Sequence, residues 1–233
     1  MAISGQPSND LSGYDLVVQQ LIPGYASLAR LAVSLLAASP LASREEASVL
    51  VAGCGTGAEL LEARCQRPDW QLTAIDPAAA MLAEAQRRLQ PLNATAPATI
   101  RWIQTTAEEL SMPAAFDGAL SVLVLQSLAD DGSKLTFLSS LASSLRPGGQ
   151  LVLVDLMRPE RSPLQAQVEQ AWSGFQKASG LAGAPEALAS LSPGLHPIGL
   201  SRLTALVNAA GFSDPATVFQ ALDFQGFLLQ RRS

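Results

Sequence analysis

The segment VLVAGCGTGAELLEA, residues 49–63, restricts the possible fold of this chain more than any other part of it. A short apolar run leads directly into Gly53-Cys54-Gly55-Thr56-Gly57, and a helix-forming sequence follows. Glycine allows a tight turn that a ligand can approach closely, and the N-terminus of a helix offers N–H donors and a partial positive charge. The segment therefore predicts a strand, a ligand-binding glycine loop and a helix.

The rest of the chain continues this alternation of strands and helices. Predicted strands cover 47–52, 71–75, 99–104, 116–125 and 151–156, and predicted helices cover 56–65, 77–89 and 134–145. After a further helix at 201–210, two strands at 216–222 and 225–230 are predicted to pair as a hairpin. Such alternation predicts an α/β fold with a mostly parallel sheet covered on both faces by helices.

Two regions lie outside this alternation. From Tyr14 to Ala38 apolar residues recur at helical spacing with a break at Pro23-Gly24, which predicts two helices. An amphipathic helix at 164–178 precedes a stretch rich in Ala, Gly, Ser and Pro, a composition typical of a lid. We therefore predict a single domain, 1–233, with an N-terminal helical extension (1–44), a core (45–157), a lid or cap (158–200) and a C-terminal helix with an antiparallel hairpin (201–233).

Composition excludes several classes of function. Of the 233 residues, 48% are hydrophobic and 15% are charged, so the chain can bury a core. The net charge of -5, without a Lys/Arg cluster, argues against stable nucleic-acid binding. Two cysteines and one histidine give no metal-ligand spacing.

The N-terminus does not resemble a signal peptide and the apolar stretches are short, so we expect a cytoplasmic protein without a membrane span. The Ala/Leu-rich N-terminal helices could pack on a second copy, and a homodimer is left open.

An acidic residue stands where the second predicted strand ends. Asp76 follows Gly57 by 19 residues, so a parallel sheet places its carboxylate beside the glycine loop. There it can accept hydrogen bonds from the two hydroxyls of a ribose. Because Gly53-x-Gly55-x-x-Ala58 also satisfies a relaxed dinucleotide fingerprint, the residues alone leave NAD open as the cofactor.

Taken as a set, these motifs resemble those of class I methyltransferases that use S-adenosylmethionine (SAM). The matching strings are GCGTG at 53–57, AIDPAAAMLAEA at 74–85, LRPGGQLVLVDL at 145–156 and AGF at 210–212. The resemblance implies a Rossmann-like, seven-stranded sheet with the order 3-2-1-4-5-7-6. It also implies SAM as the cofactor and S-adenosylhomocysteine (SAH) as the product.

By this resemblance, the cofactor site is built from the glycine loop, the acid of the second strand and the ends of the next two strands. The residues that it assigns to the cofactor are Gly53, Cys54, Gly55, Thr56, Gly57, Asp76, Pro77, Met81, Thr106, Ala107 and Val122. The chain departs from the family at two acids: Val51 stands two residues before the first glycine, and Thr106 follows the third strand.

A further resemblance, to carboxy-SAM synthases, is carried by residues 22–37, 123–128, 175–180 and 223–230. It implies that Tyr25 closes over the cofactor. Those enzymes hold the carboxylate of carboxy-SAM with an arginine, and no arginine occurs between Arg161 and Arg202. A paralogue that uses ordinary SAM is therefore expected.

Candidate residues for the acceptor side are Tyr14, Tyr25, Gln126, Asp155 and His196. Gln126 follows the fourth strand, where it either meets an acceptor or caps a loop. Asp155 ends the fifth strand and is either a base or a loop acceptor, and His196 is either an acid–base group or a surface residue. No catalytic residue is assigned, because methyl transfer needs a general base only when the acceptor holds a proton at neutral pH.

The sequence therefore predicts a SAM-dependent methyltransferase (EC 2.1.1.-) that acts on an unidentified small molecule. Three alternatives stay open at this point. They are a paralogue of the carboxy-SAM synthases, a non-catalytic SAM- or SAH-binding protein, and an NAD-dependent oxidoreductase.

Overall fold

The computed structural model describes residues 11, 13–93, 99–181 and 194–233. Two helices open this part of the chain: α1 (Tyr14–Leu21) and α2 (Tyr25–Ala37). Gly24 takes a φ of 80°, so the turn between them needs the backbone freedom of glycine. The two helices predicted near the start of the chain, with a turn between them, are confirmed.

The strands and helices that follow alternate as predicted. The strands are β1 (Ser48–Ala52), β2 (Gln71–Ile75), β3 (Ile100–Ile103), β4 (Phe116–Val122), β5 (Leu145–Leu156), β6 (Ala216–Ala221) and β7 (Phe224–Gln230). The later helices are α3 (Ala58–Gln66), α4 (Ala79–Asn93), α5 (Ser133–Ser144), α6 (Gln165–Ala178) and α7 (Leu200–Ala209).

The strands form one seven-stranded sheet in the order β3-β2-β1-β4-β5-β7-β6. Strands β1 to β5 pair in parallel, and β7 runs antiparallel to both β5 and β6. The predicted Rossmann-like sheet and its strand order are confirmed. Between β1 and β4 the order reverses, and this is the point where an open α/β sheet forms a ligand crevice at the carboxyl ends of its strands.

Both faces of the central strands are buried, which is why these strands are continuously apolar. Alternate residues of β1 point to opposite faces: Leu50 and Ala52 join a core under α5 and α7, whereas Val49 and Val51 join a core under α2, α3 and α4. The apolar side of α2 packs on the sheet of its own chain, so that this face is already covered. A homodimer through the N-terminal helices stays a prediction.

Two strand boundaries differ from the prediction for local backbone reasons. β4 ends at Val122, because Leu123 takes a φ of 60° and a single 3₁₀ turn follows at Leu125–Ser127. β5 begins at Leu145, and its pairing with β4 is irregular over the Pro-Gly-Gly segment. That segment therefore lies within the strand, where the sequence suggested a turn before it.

The predicted lid is described only in part. Residues 182–193 of the range 158–200 lie outside the described residues, as do residues 1–10 and 12. α6 packs against α1: Trp172 donates its indole N–H to the Leu21 carbonyl at 2.7 Å and meets Phe224 edge to face. Within the described residues no single helix has the length and apolar character needed to cross a membrane; α1 and α2 meet that test only together, with a bend of 95° between them.

Candidate functional site

A cavity of about 420 Å³ opens at the carboxyl ends of β1, β2 and β4, where the strand order reverses. Most residues predicted for the cofactor line it: Tyr25, Gly53, Cys54, Gly55, Thr56, Asp76, Pro77, Met81, Thr106, Ala107 and Val122, together with Tyr14 from the acceptor-side group. Side chains that the sequence did not single out also line it, including Glu59, Leu123, Val124, Ser127, Leu128 and Phe137.

The glycine loop has a backbone that side chains rarely allow. Gly53, Gly55 and Gly57 take φ values of 70°, 51° and 88°. A Cβ on Gly53 would lie 2.4 Å from Cγ2 of Val124, which leaves no room for any side chain there. Gly57 is not among the described residues that line the cavity. A Cβ on it would meet Ala85 and Leu89 at 3.1 Å, so this glycine allows α3 to lie close to α4.

Asp76 is fixed by the glycine loop that it faces. Its carboxylate is buried, with one oxygen accepting from the Gly55 N–H at 2.9 Å and the other from the Ala78 N–H at 2.8 Å. Each oxygen keeps a second lone pair. A carboxylate held in this way is suited to accept two hydrogen bonds from a vicinal diol.

Several apolar side chains form the cavity wall beyond Asp76. Pro77 and the buried Met81 come from the segment after β2, and the buried Ala107 comes from the segment after β3. Thr106 accepts from the Glu109 N–H at 3.3 Å, so its hydroxyl helps to shape its own loop. An apolar slot beside a diol acceptor fits a flat heterocycle attached to a ribose.

α1 is fastened across the glycine loop by a cluster of three polar residues. Asp15 accepts from the Thr56 hydroxyl at 2.5 Å and pairs with Arg88 at 2.6 Å. Arg88 also donates to the Thr56 carbonyl at 2.7 Å. Sequence reasoning missed Asp15 and Arg88, because the contact joins α1 to a loop and to a helix far along the chain.

Replacing Asp15 by alanine is expected to loosen α1. The pair is partly exposed, and its loss together with the Thr56 hydrogen bond should cost roughly 1–2 kcal/mol of local stability. Hydrogen exchange of the α1 amides should then be about 5- to 30-fold faster. Glu62→Ala, which breaks the surface pair with Arg30, is the control, and equal rates in the two variants would contradict this role of Asp15.

Two tyrosines cover the cavity from the N-terminal helices. Tyr14 and Tyr25 both line it, and burial raises the pKa of each phenol above its ordinary value. Nearby carboxylates, Asp15 and Glu59 among them, act in the same direction. Both phenols are therefore protonated at neutral pH and act as hydrogen-bond donors rather than bases.

Glu59 is the buried acid of the cavity that the sequence did not reveal. It lies in the first turn of α3, and only 6% of its surface is exposed. Burial raises its pKa to about 7, against the opposing effects of a backbone N–H and of Arg88. The sequence position of Glu59, two residues after Gly57, could have identified it, because the first turn of the helix faces the loop.

The other acceptor-side candidates lie elsewhere. Asp155 is buried and accepts from the N–H groups of Leu125 and Gln126 at 2.9 and 2.8 Å. Gln126 accepts from the Leu156 N–H at 3.0 Å. Neither is among the described residues that line the cavity, so both hold the loop after β4. His196 is exposed, and its backbone N–H donates to the Gln126 carbonyl at 2.7 Å.

The two buried carboxyls predict how stability depends on pH. Burial raises the pKa of Glu59 and of Asp155 to about 7, whereas unfolded carboxyls titrate near 4. The stabilisation of the protonated forms is complete below that unfolded value and is lost as the pH rises through about 7. Urea unfolding should therefore show a loss of roughly 2–3 kcal/mol per group between pH 5 and pH 8. Glu59→Gln should remove about half of this slope, and a flat or rising profile in the wild type would contradict the burial argument.

The architecture and the site combine three features. A seven-stranded sheet with this order, a glycine loop at its switch point and a buried acid after β2 are the features of class I methyltransferases. Residues 49–149 match the sequence model of a family described as a methyltransferase domain. No curated protein matches the chain in sequence.

Solved structures share the fold at low sequence identity. The methyltransferase SibL in its apo form matches with a TM-score of 0.61 and 18% identity over 90% of this chain and 57% of its own. A SAM-dependent methyltransferase from Methanosarcina mazei matches with a TM-score of 0.60 and 20% identity over 81% of this chain and 94% of its own. The 1,6-didemethyltoxoflavin-N1-methyltransferase of Burkholderia thailandensis matches with a TM-score of 0.60 and 20% identity over 98% and 93%.

The chain therefore spans little more than half the length of SibL and almost all of the other two proteins. At these identities the likeness concerns the fold. Together with the match of residues 49–149 to the methyltransferase-domain model, it supports a class I SAM-dependent methyltransferase fold.

Proposed function

We propose that this protein binds SAM in the cavity at the β1–β4 switch point and transfers its methyl group to a small-molecule acceptor, leaving SAH. The observation that carries the proposal is the carboxylate of Asp76, which the N–H groups of Gly55 and Ala78 fix at the cavity wall. In this fold a buried acid at that point receives ribose hydroxyls.

The residues of the cavity fit the parts of SAM. Asp76 would hold the ribose, and Pro77, Met81, Thr106 and Ala107 would enclose the adenine. The backbone of Gly53 and Gly55 would lie against the amino-acid end, which is the close approach that glycine permits. When bound, SAM supplies an electrophilic methyl group on its sulfonium.

The contribution of the protein is to hold, orient and shield. α1 crosses the glycine loop through Asp15, and Tyr14 and Tyr25 close the cavity from the same side. Orientation and exclusion of water account for much of the rate in a displacement that needs no covalent intermediate on the enzyme. Because both phenols stay protonated at neutral pH, neither supplies a base.

A small acceptor is favoured by the size of the site and by charge. The cavity measures about 420 Å³, and the net charge of -5 opposes binding of nucleic acid. Methyltransferases of similar fold are named for small acceptors, such as 1,6-didemethyltoxoflavin, mitomycin and N-acetylserotonin.

Ordinary SAM is favoured over carboxy-SAM by the chemistry of the cavity wall. None of the described residues that line the cavity is an arginine, a lysine or a histidine. A second carboxylate on the cofactor would therefore be buried without a cation, which is costly.

A non-catalytic SAH-binding protein is the second candidate, because Val51 and Thr106 replace acids of the family pattern. The test is to incubate the protein with SAM and pools of small-molecule acceptors and to measure SAH by mass spectrometry, beside Asp76→Ala. The proposal expects acceptor-dependent SAH from the wild type alone. Tight SAH binding without turnover in any pool would favour the second candidate.

A further inference from the structure

Within the part of the chain that the structure describes, no side chain of opposite charge pairs with Glu59. Its carboxyl lines the cavity with only 6% of the residue exposed, and it forms no salt bridge among the described residues. Arg88, whose charge acts on Glu59, pairs with Asp15 and contacts the Thr56 carbonyl instead. A buried carboxylate without a counter-ion is costly, so a cationic ligand group would be stabilised beside it.

The position of Glu59 identifies which part of the cofactor it meets. Thr106, Ala107, Asp76 and the glycine loop all line the cavity, and Asp76 contacts the loop through the Gly55 N–H. Glu59 lies beyond that loop, in the first turn of α3 and close to Tyr14 and Tyr25. If Asp76 holds the ribose, the amino-acid end of the cofactor extends toward Glu59.

We propose, on the basis of the function proposed above, that Glu59 is a specificity-determining residue that binds the α-ammonium group of the cofactor's amino-acid moiety. This ammonium supplies the counter-ion that the buried carboxylate lacks. The N-terminus of α3 is then left to the carboxylate of the same moiety, which suits its partial positive charge. The cavity thereby distinguishes SAM and SAH from nucleosides that have no amino acid.

The charged and titratable groups around Glu59 do not change charge in the pH range where Glu59 titrates. Asp15 is ion-paired with Arg88, and Asp76 accepts two backbone N–H groups. Burial raises the pKa of Tyr14, Tyr25 and Cys54, so these groups stay protonated through pH 8. Among the described groups named here, Glu59 is therefore the one whose pKa of about 7 makes it change charge between pH 6 and pH 8.

Calorimetric titration of the full chain with two ligands tests the proposal. SAH carries the amino acid, whereas 5′-methylthioadenosine keeps the adenosine and lacks it. Glu59→Gln is expected to lower the affinity for SAH by about 10- to 100-fold and the affinity for 5′-methylthioadenosine by less than about twofold. The reason is that a charged hydrogen bond is lost with SAH only. Glu108→Gln removes a different carboxylate of the cavity lining, next in sequence to Thr106 and Ala107, and should change both affinities by the same factor.

The pH dependence gives a second readout that needs no variant. Wild-type affinity for SAH should rise between pH 6 and pH 8 as Glu59 loses its proton, and affinity for 5′-methylthioadenosine should rise much less. Equal effects of Glu59→Gln on both ligands, a gain in SAH affinity, or the same pH profile for both ligands would overturn the role of Glu59. If the wild type bound neither ligand, both the proposed function and the role of Glu59 would be overturned.

Discussion

Replacing Asp76 by alanine is expected to lower the affinity for SAH by about 100-fold or more. The ribose would lose two hydrogen bonds to a charged acceptor, each worth roughly 1.5–3 kcal/mol. The Gly55 and Ala78 N–H groups would lose their partner at the same time, which loosens the loop that the ligand approaches. Isothermal titration with SAH measures the effect directly.

Two further variants separate this role from general damage. Asp76→Asn should retain little of the affinity, because both carboxylate oxygens accept backbone N–H groups and an amide must turn its NH₂ toward one of them. Asp130→Ala, which breaks an exposed pair with Arg202 away from the cavity, should bind SAH as the wild type does. Near-normal SAH affinity in a folded Asp76→Ala protein would contradict the assignment of the ribose to this residue.

Gly53→Ala is expected to be the most destabilising small substitution in the glycine loop. Its Cβ would meet Cγ2 of Val124 at 2.4 Å, and its φ of 70° strains any residue with a side chain. The two effects together should cost roughly 2–5 kcal/mol of unfolding free energy. Gly55 has a φ of 51° but open space around its Cα, so Gly55→Ala should lower the unfolding free energy by only about 1–2 kcal/mol.

A double-mutant cycle identifies the clash. Val124→Ala removes the methyl group that meets the new Cβ. In the Gly53→Ala background it should therefore raise the unfolding free energy by about 1–3 kcal/mol, while the strain from the positive φ of residue 53 remains. Urea denaturation of the four proteins provides the coupling energy. Additive effects of the two substitutions would show that Val124 is not the obstacle.

The parts of the site that lie close together in sequence could be predicted. The glycine loop and Asp76 each follow a buried strand, and the sheet order brings the ends of β1 and β2 together. Local sequence therefore contained the information needed for the sheet and for the residues on its switch-point edge. The 3₁₀ turn after β4 was missed, because it depends on Leu123 adopting a positive φ.

The parts that depend on tertiary contacts could not be predicted. Asp15 reaches Thr56 and Arg88 only because α1 folds back over the loop, and nothing in its own segment marks it. Glu59 appears as an ordinary first-turn acid until the packing of α1 and α2 buries it.

Asp155 shows the opposite case. A carboxylate at the end of a parallel strand commonly faces a ligand. In this protein, however, it accepts the N–H groups of Leu125 and Gln126. The buried Lys134 donates to the Leu125 carbonyl in the same polar cluster, so this group shapes the loop that carries Val124.

The most direct test of the account is calorimetric titration of the wild-type protein with SAH, SAM and NAD under identical conditions. We expect SAH or SAM to bind with a micromolar Kd and NAD to show no detectable binding. Binding of NAD without SAM or SAH would contradict it and would make the glycine loop and Asp76 parts of a dinucleotide site.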